Sequence, residues 1–168
     1  MEKKSEFDIQ VLKLDKPLYV VGCSVRVKHG TPECFPTIAA LILKFFTDDM
    51  PSKIANKKEP LIRFGICSDH VYYDDIIEFT YLAGVQVQKV ESQLPEKTET
   101  FIVPEGEYAC IKVSAPDAQT AIGIAYINLD KWINESSEWE SIIGEYEVYP
   151  NKFSDAEMEL WRPIKRKA

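Results

Sequence analysis

The sequence predicts an α+β fold: duplicated βαββ units that form one curved antiparallel sheet, with two helices on one face and a cleft between the halves. Runs rich in β-branched and aromatic residues recur, and two apolar helical segments separate them. The order strand, helix, strand, strand occurs twice, at an offset of roughly 80 to 90 residues. With 168 residues, 45% hydrophobic and 28% charged, we expect one domain over 1–168, with halves at about 8–90 and about 100–166.

The first half opens with the run "LYVVGCSVRV" at 18–27, which predicts a strand. A loop with the turn signal "HGTPE" follows it. Pro36 suits the first turn of a helix at about 35–47. Because that helix is apolar nearly all round, we expect it to be heavily buried on the sheet. The polar residues 48–60 predict a loop.

Two further strands complete the first half, "LIRFGICS" at 61–68 and "IIEFTYLAGVQV" at 76–87. The polar segment 68–75 is expected to connect them, and Gly84 marks a candidate β-bulge. The segment "ESQLPEKTET" at 91–100 then predicts a link to the second half.

The second half repeats the order. "GEYACIKVS" at 106–114 predicts a strand, and Asp117 begins the helix expected over about 116–134. The stretch "GEYEVYPNKFSDAEMELWRPI" at 144–164 predicts two short strands joined by a polar turn at 150–155.

The charge balance argues against a nucleic-acid-binding protein. Lys plus Arg number 20 and Asp plus Glu number 27, which gives a net charge of −7. A protein that binds the phosphate backbone needs a clustered basic face, and the only basic run is "KRK" at 165–167. We therefore expect no direct contact with nucleic acid.

The sequence also lacks the signals of export, membrane insertion and metal binding. The N-terminus "MEKKSEF" is charged, and the apolar run "TIAALILKFF" at 37–46 is too short to span a bilayer. We expect a cytoplasmic protein without membrane contact. The four cysteines have no metal-ligand spacing and the two histidines lie in different segments, so we expect reduced thiols, no metal and no cofactor.

Carboxylates and aromatic rings share faces of the last two strands. Alternation places Glu147 and Tyr149 on one face of the first strand, and Glu159 and Trp161 on one face of the second. Alternation alone favours a structural interpretation, in which Glu147 faces solvent and the rings pack against the sheet.

An ordered set of motifs resembles the GyrI-like, or AraC-type effector-binding, domain family. The motifs are "RFGICSD" (63–69), "EFTYLAGVQV" (78–87), "VPEGEYACIKVSAP" (103–116), "YEVYP" (146–150) and "EMELWRPIK" (157–165). The resemblance implies a duplicated βαββ fold with a ligand cleft between the halves and a buried glutamate among aromatic rings. It places that glutamate at Glu147, with Glu159 and Trp161 on the last strand. Because the sequence carries no helix-turn-helix, we expect a stand-alone ligand-binding domain.

The resemblance implies a site for a lipophilic organic cation, which needs apolar contact and one compensating charge. The two glutamates are expected to face each other, so one of them stays protonated. Tyr72 is expected at the rim or in a lid. The expected ligand contacts are Glu147, Tyr149, Glu159, Trp161, Tyr108, Tyr81, Phe79 and Tyr72.

Three functions are compatible with this site. The first is a small-molecule-binding protein for bulky aromatic, lipophilic cations, which acts as a multidrug-binding sensor or a sequestering protein. The second is a hydrolase of cyclopropanoid-type toxins, in which Glu147 or Glu159 acts on water. The third is a protein-interaction module such as a gyrase modulator, whose partner the sequence does not specify.

Overall fold

A computed structural model describes residues 7–150 and 157–168, and it confirms the α+β fold class. Its elements, in chain order, are β1 (Ile9–Leu14), β2 (Leu18–His29), α1 (Cys34–Thr47), α2 (Met50–Lys53), β3 (Arg63–Tyr72), β4 (Ile77–Val87), β5 (Glu99–Val103), β6 (Gly106–Ser114), α3 (Ala118–Glu135), β7 (Trp139–Ser141), β8 (Glu145–Tyr149) and β9 (Glu157–Arg166). Among these residues, no helix has the length and apolarity needed to cross a bilayer.

The strands form one antiparallel sheet in the order β1-β6-β9-β8-β3-β4-β2-β5, and β7 pairs with β9. The two halves of the chain meet where β8 pairs with β3, a register that places Glu147 opposite Gly65. Helix α1 packs on β2 and β4, whereas α3 packs on β6 and β9. The β8–β3 pair therefore lies at the centre of the sheet, between the strands that carry the helices.

Each side of the sheet has its own apolar cluster. We call the side that packs against α1 and α3 the helix face, and its buried residues include Tyr81, Tyr149 and Leu160. The opposite side, which we call the second face, buries a different set that includes Tyr108 and Trp161. Because successive strand residues point to opposite sides, strand register decides which face each candidate site residue joins.

Strands β1 and β5, which were not predicted, form the two ends of the sheet. Strand β1 precedes β2 in the chain but pairs with β6, in the other half. Strand β5 precedes β6 in the chain but pairs with β2. The short elements α2 and β7 were also missed. The predicted turn at 150–155 lies, apart from Pro150, outside the described residues.

Two predictions about the β3–β4 region are wrong. Gly84 is not at a bulge, because it pairs in register with Gly22, where a Cβ on Gly22 would meet the Ala83 carbonyl oxygen at 2.1 Å. The segment 68–75 is not simply a connection, because β3 continues to Tyr72 through an irregularity between Ser68 and Val71. The bulge of this hairpin therefore lies on β3.

Helix α1 is less buried than its composition predicts. Cys34 and Phe45 are its fully buried residues, whereas Phe35 and Leu43 are 66% and 69% exposed. The helix packs on β2, β4 and α2, which cover one of its sides. Helix α3 shows the expected pattern: Asp117 caps its N-terminus by accepting a 2.8 Å hydrogen bond from the Thr120 N–H.

Candidate functional site

Glu147 is a buried carboxylate on the helix face, only 6% exposed. Three tyrosine hydroxyls donate hydrogen bonds to it. Tyr81 and Tyr149 donate to Oε1 at 3.0 and 2.8 Å, and Tyr126 donates to Oε2 at 3.3 Å. We call these four residues the tyrosine cage. Because both oxygens accept hydrogen bonds, the carboxylate is satisfied without water.

The cage is assembled from both halves of the chain. Tyr81 comes from β4, Glu147 and Tyr149 come from β8, and Tyr126 comes from α3. Gly65 provides the space between the halves, since a Cβ at this position would meet the Tyr81 Oη at 2.1 Å and the Glu147 Oε1 at 2.9 Å. The glycine therefore allows the Tyr81 hydroxyl to reach the carboxylate.

Burial controls ionisation in the cage. Removal from water raises the pKa of Glu147, although the hydroxyls of Tyr149, Tyr81 and Tyr126 oppose that rise. The same burial raises the pKa of each of these tyrosines well above its usual range. The tyrosines are therefore neutral donors, and the carboxyl group binds a proton more readily than an exposed glutamate does.

A charged cluster lies next to the cage on the helix face. His70 Nε2 lies 2.8 Å from Oε2 of Glu145, which is two residues before Glu147 on the same side of β8. Arg162 of β9 pairs with Asp130 of α3, and its Nη2 lies 3.8 Å from the Glu145 Oε1. These contacts tie β3, β8, β9 and α3 together beside Glu147.

His70 is also held by rings. Phe79 and Tyr72 both stack with it at an interplanar angle of 19°, with centroid distances of 5.5 and 6.3 Å. Tyr72 is 58% exposed, so its ring covers His70 from the solvent side.

A second carboxylate and ring cluster lies on the second face. Glu159 accepts 3.4 Å hydrogen bonds from the Cys110 thiol and from Nε1 of Trp161. The rings of Trp161 and Tyr108 lie 6.1 Å apart, and the Tyr108 hydroxyl donates to the Pro104 carbonyl at 2.6 Å. These partners are weak or neutral, and Glu159 is only half-buried.

The structure divides the predicted contacts between the two faces. Glu147, Tyr149, Tyr81 and Phe79 lie together on the helix face, with Tyr72 at their edge. Glu159, Trp161 and Tyr108 lie on the second face. The prediction that the two glutamates face each other is wrong, because the β8–β9 register pairs Glu147 with Leu160 and Val148 with Glu159.

Sequence reasoning missed Tyr126, His70 and the role of Glu145. Tyr126 directly follows Ala125, which lies on the buried stripe of α3. Its position next to that stripe was a usable signal that its side chain points toward the sheet. His70 fell in a segment that was interpreted as a polar connection, where strand alternation gave no orientation. Among the described residues, no group of histidine, cysteine and acidic side chains is arranged to hold a metal ion.

Two cavities lie away from the tyrosine cage. A cavity of about 200 Å³ lies between α1 and β2, where Cys23, Leu41 and Phe45 are among its lining residues. A smaller one of about 40 Å³ lies beside Ile54. Neither of these cavities is lined by Glu147.

Comparison with solved structures identifies the fold. The integron cassette protein VCH_CASS2 from the mobile metagenome of Vibrio cholerae superposes with a TM-score of 0.66 at 16% identity, over 94% of this chain and 95% of that chain. SAV2435 bound to tetraphenylphosphonium gives 0.67 at 15% identity, over 96% and 94%. The C-terminal domain of EcmrR gives 0.68 at 14% identity, over 97% and 100%. No curated protein matches the sequence.

The family assignment rests on the sequence as well as the fold. A family model described as the GyrI-like small molecule binding domain matches residues 8–165, which is nearly the whole chain. The protein therefore belongs to the GyrI-like family of small-molecule-binding domains.

Proposed function

We propose that this protein binds bulky aromatic, lipophilic cations, and that it acts as a multidrug-binding sensor or sequestering protein. The observation that carries the proposal is the tyrosine cage, a buried carboxylate with three hydroxyl donors at the centre of the helix face. The net charge of −7 supports a function without nucleic-acid contact.

The cage has the chemistry that a lipophilic cation requires. Burial disfavours the charged form of Glu147, so a bound cation recovers electrostatic free energy that the empty site lacks. Aromatic faces attract a cation by about 0.5 to 2 kcal/mol each. The tyrosines satisfy the carboxylate while no ligand is bound, and their rings supply the walls once a ligand enters. Tetraphenylphosphonium, bound by the similar SAV2435, is a cation of this class.

The sheet order supports an internal duplication. The βαββ strands are β2, β3 and β4 in the first half and β6, β8 and β9 in the second. Numbered within each half, they run first, third, second, then second, third, first from β6 to β2. We propose that the halves are two copies of one unit. The cage then lies on their pseudo-twofold axis, where β3 and β8 meet.

Isothermal titration with tetraphenylphosphonium tests the proposal. The two sheet faces provide a matched pair of variants, Glu147→Gln and Glu159→Gln. Removing the buried charge is expected to weaken binding by at least about tenfold, whereas Glu159→Gln binds like the wild type. Equal affinity in the wild type and Glu147→Gln would contradict the proposal.

A second candidate function is hydrolysis of electrophilic, cyclopropanoid-type compounds. The observation that favours it is the raised pKa of Glu147 beside neutral tyrosine donors, an arrangement that suits acid–base chemistry. Incubation with such an electrophile, followed by mass spectrometry, distinguishes the two functions. A water adduct that forms with the wild type but not with Glu147→Gln indicates hydrolysis, and an unchanged ligand indicates binding.

A further inference from the structure

A β-bulge turns His70 toward the helix face. Cys67 points to that face, so regular alternation would direct His70, three residues later, to the opposite side. The pairing of β3 with β4 shifts between Ser68 and Val71, and Asp69 takes a left-handed backbone conformation with φ of 52°. Left-handed conformations in non-glycine residues carry strain, and bulges commonly re-aim side chains at functional sites.

One nitrogen of the re-aimed histidine has no partner. The His70 side chain is 5% exposed, and Nε2 faces the Glu145 carboxylate, which only accepts hydrogen bonds, so Nε2 carries a proton. In the tautomer with no proton on Nδ1, that nitrogen is an acceptor. Within residues 7–150 and 157–168, the buried Nδ1 receives no hydrogen bond. A buried acceptor left unpaired costs about 1 to 3 kcal/mol, so this one needs an explanation.

The His70 ring lies beside the tyrosine cage. Glu145, its hydrogen-bond partner, is two residues from Glu147, and Phe79, its stacking partner, is two residues from Tyr81. Two residues along a strand correspond to roughly 7 Å. A molecule paired with Glu147 can therefore carry a second group that reaches His70.

We propose that Nδ1 of His70 accepts a hydrogen bond from an N–H group of the ligand. The site then prefers an aromatic cation with an amino substituent separate from its charged centre over a cation without such a donor. This inference rests on the proposed function, because Glu147 must hold the charged centre. The hydrogen bond supplies the partner that Nδ1 lacks.

A pair of matched ligands tests the inference. Ethidium is a quaternary phenanthridinium with two amino groups, and its deaminated analogue keeps the charge and the rings. We expect the wild type to bind ethidium about tenfold more tightly than the analogue. His70→Phe keeps the stacking on Phe79 and is expected to bind both equally. His29→Phe, which alters the other histidine, keeps the wild-type preference.

Nitrogen NMR of the wild type gives a second measurement that needs no variant. The Nδ1 resonance of His70 is expected to shift on addition of ethidium and to stay in place with the deaminated analogue. Equal affinity of the wild type for the two cations overturns the inference and leaves the proposed function intact. Binding of neither cation overturns both.

Discussion

The two faces of the sheet carry similar residues in different environments. On the helix face Glu147 is buried and receives three hydroxyl hydrogen bonds, from β4, β8 and α3. On the second face Glu159 is half-buried and accepts hydrogen bonds from a thiol and an indole N–H, at neighbouring positions on β6 and β9. The difference shows that a carboxylate near rings is not sufficient for a charged site. What distinguishes Glu147 is burial together with donors from several elements.

The largest expected effect comes from filling the space that Gly65 leaves for the cage. Because a Cβ there would meet the Tyr81 Oη at 2.1 Å, Gly65→Ala is expected to destabilise the protein by about 3 kcal/mol and to weaken ligand binding. Gly123, at an exposed position of α3 with nothing within 4 Å of an added Cβ, is the matched control. Gly123→Ala is expected to stabilise by about 0.5 to 1 kcal/mol. Urea unfolding measures both, and equal effects would show that Gly65 has no special role.

A smaller effect separates the hydroxyls of the two faces. Tyr81 and Tyr108 are both 2% exposed, but Tyr81 donates to a carboxylate and Tyr108 donates to the Pro104 carbonyl. Tyr81→Phe is expected to cost about 2 kcal/mol and Tyr108→Phe about 1 kcal/mol, because hydrogen bonds to charged groups are the stronger.

The same pair of variants also reports on the charge of Glu147. The pKa of Glu147 is raised, so at a pH below it the carboxyl group is neutral and the gap between Tyr81→Phe and Tyr108→Phe is expected to close. Thermal or urea unfolding at two pH values checks this. A gap that stays constant with pH would show that Tyr81 does not bind an ionised group.

Sequence patterns predicted the main elements better than the faces on which particular side chains lie. The strand at 106–114 and the helix near 35–47 were found, because alternation, apolar composition and caps are local signals. The face on which Glu159 lies was not predicted. It depends on the register between β8 and β9, which neither strand determines alone. His70 was missed since a bulge, which strand periodicity does not reveal, determines its orientation.

The affinity for tetraphenylphosphonium, measured as a function of pH, tests most directly which charged residue pairs with the ligand. Below the raised pKa of Glu147 a cation must displace a proton, so affinity is expected to rise with pH through that pKa and then level off. The wild type and Glu159→Gln should show this rise, and Glu147→Gln should give weak, pH-independent binding. The same rise in Glu147→Gln, or its loss in Glu159→Gln, would contradict the assignment of the ligand's charge partner to the helix face.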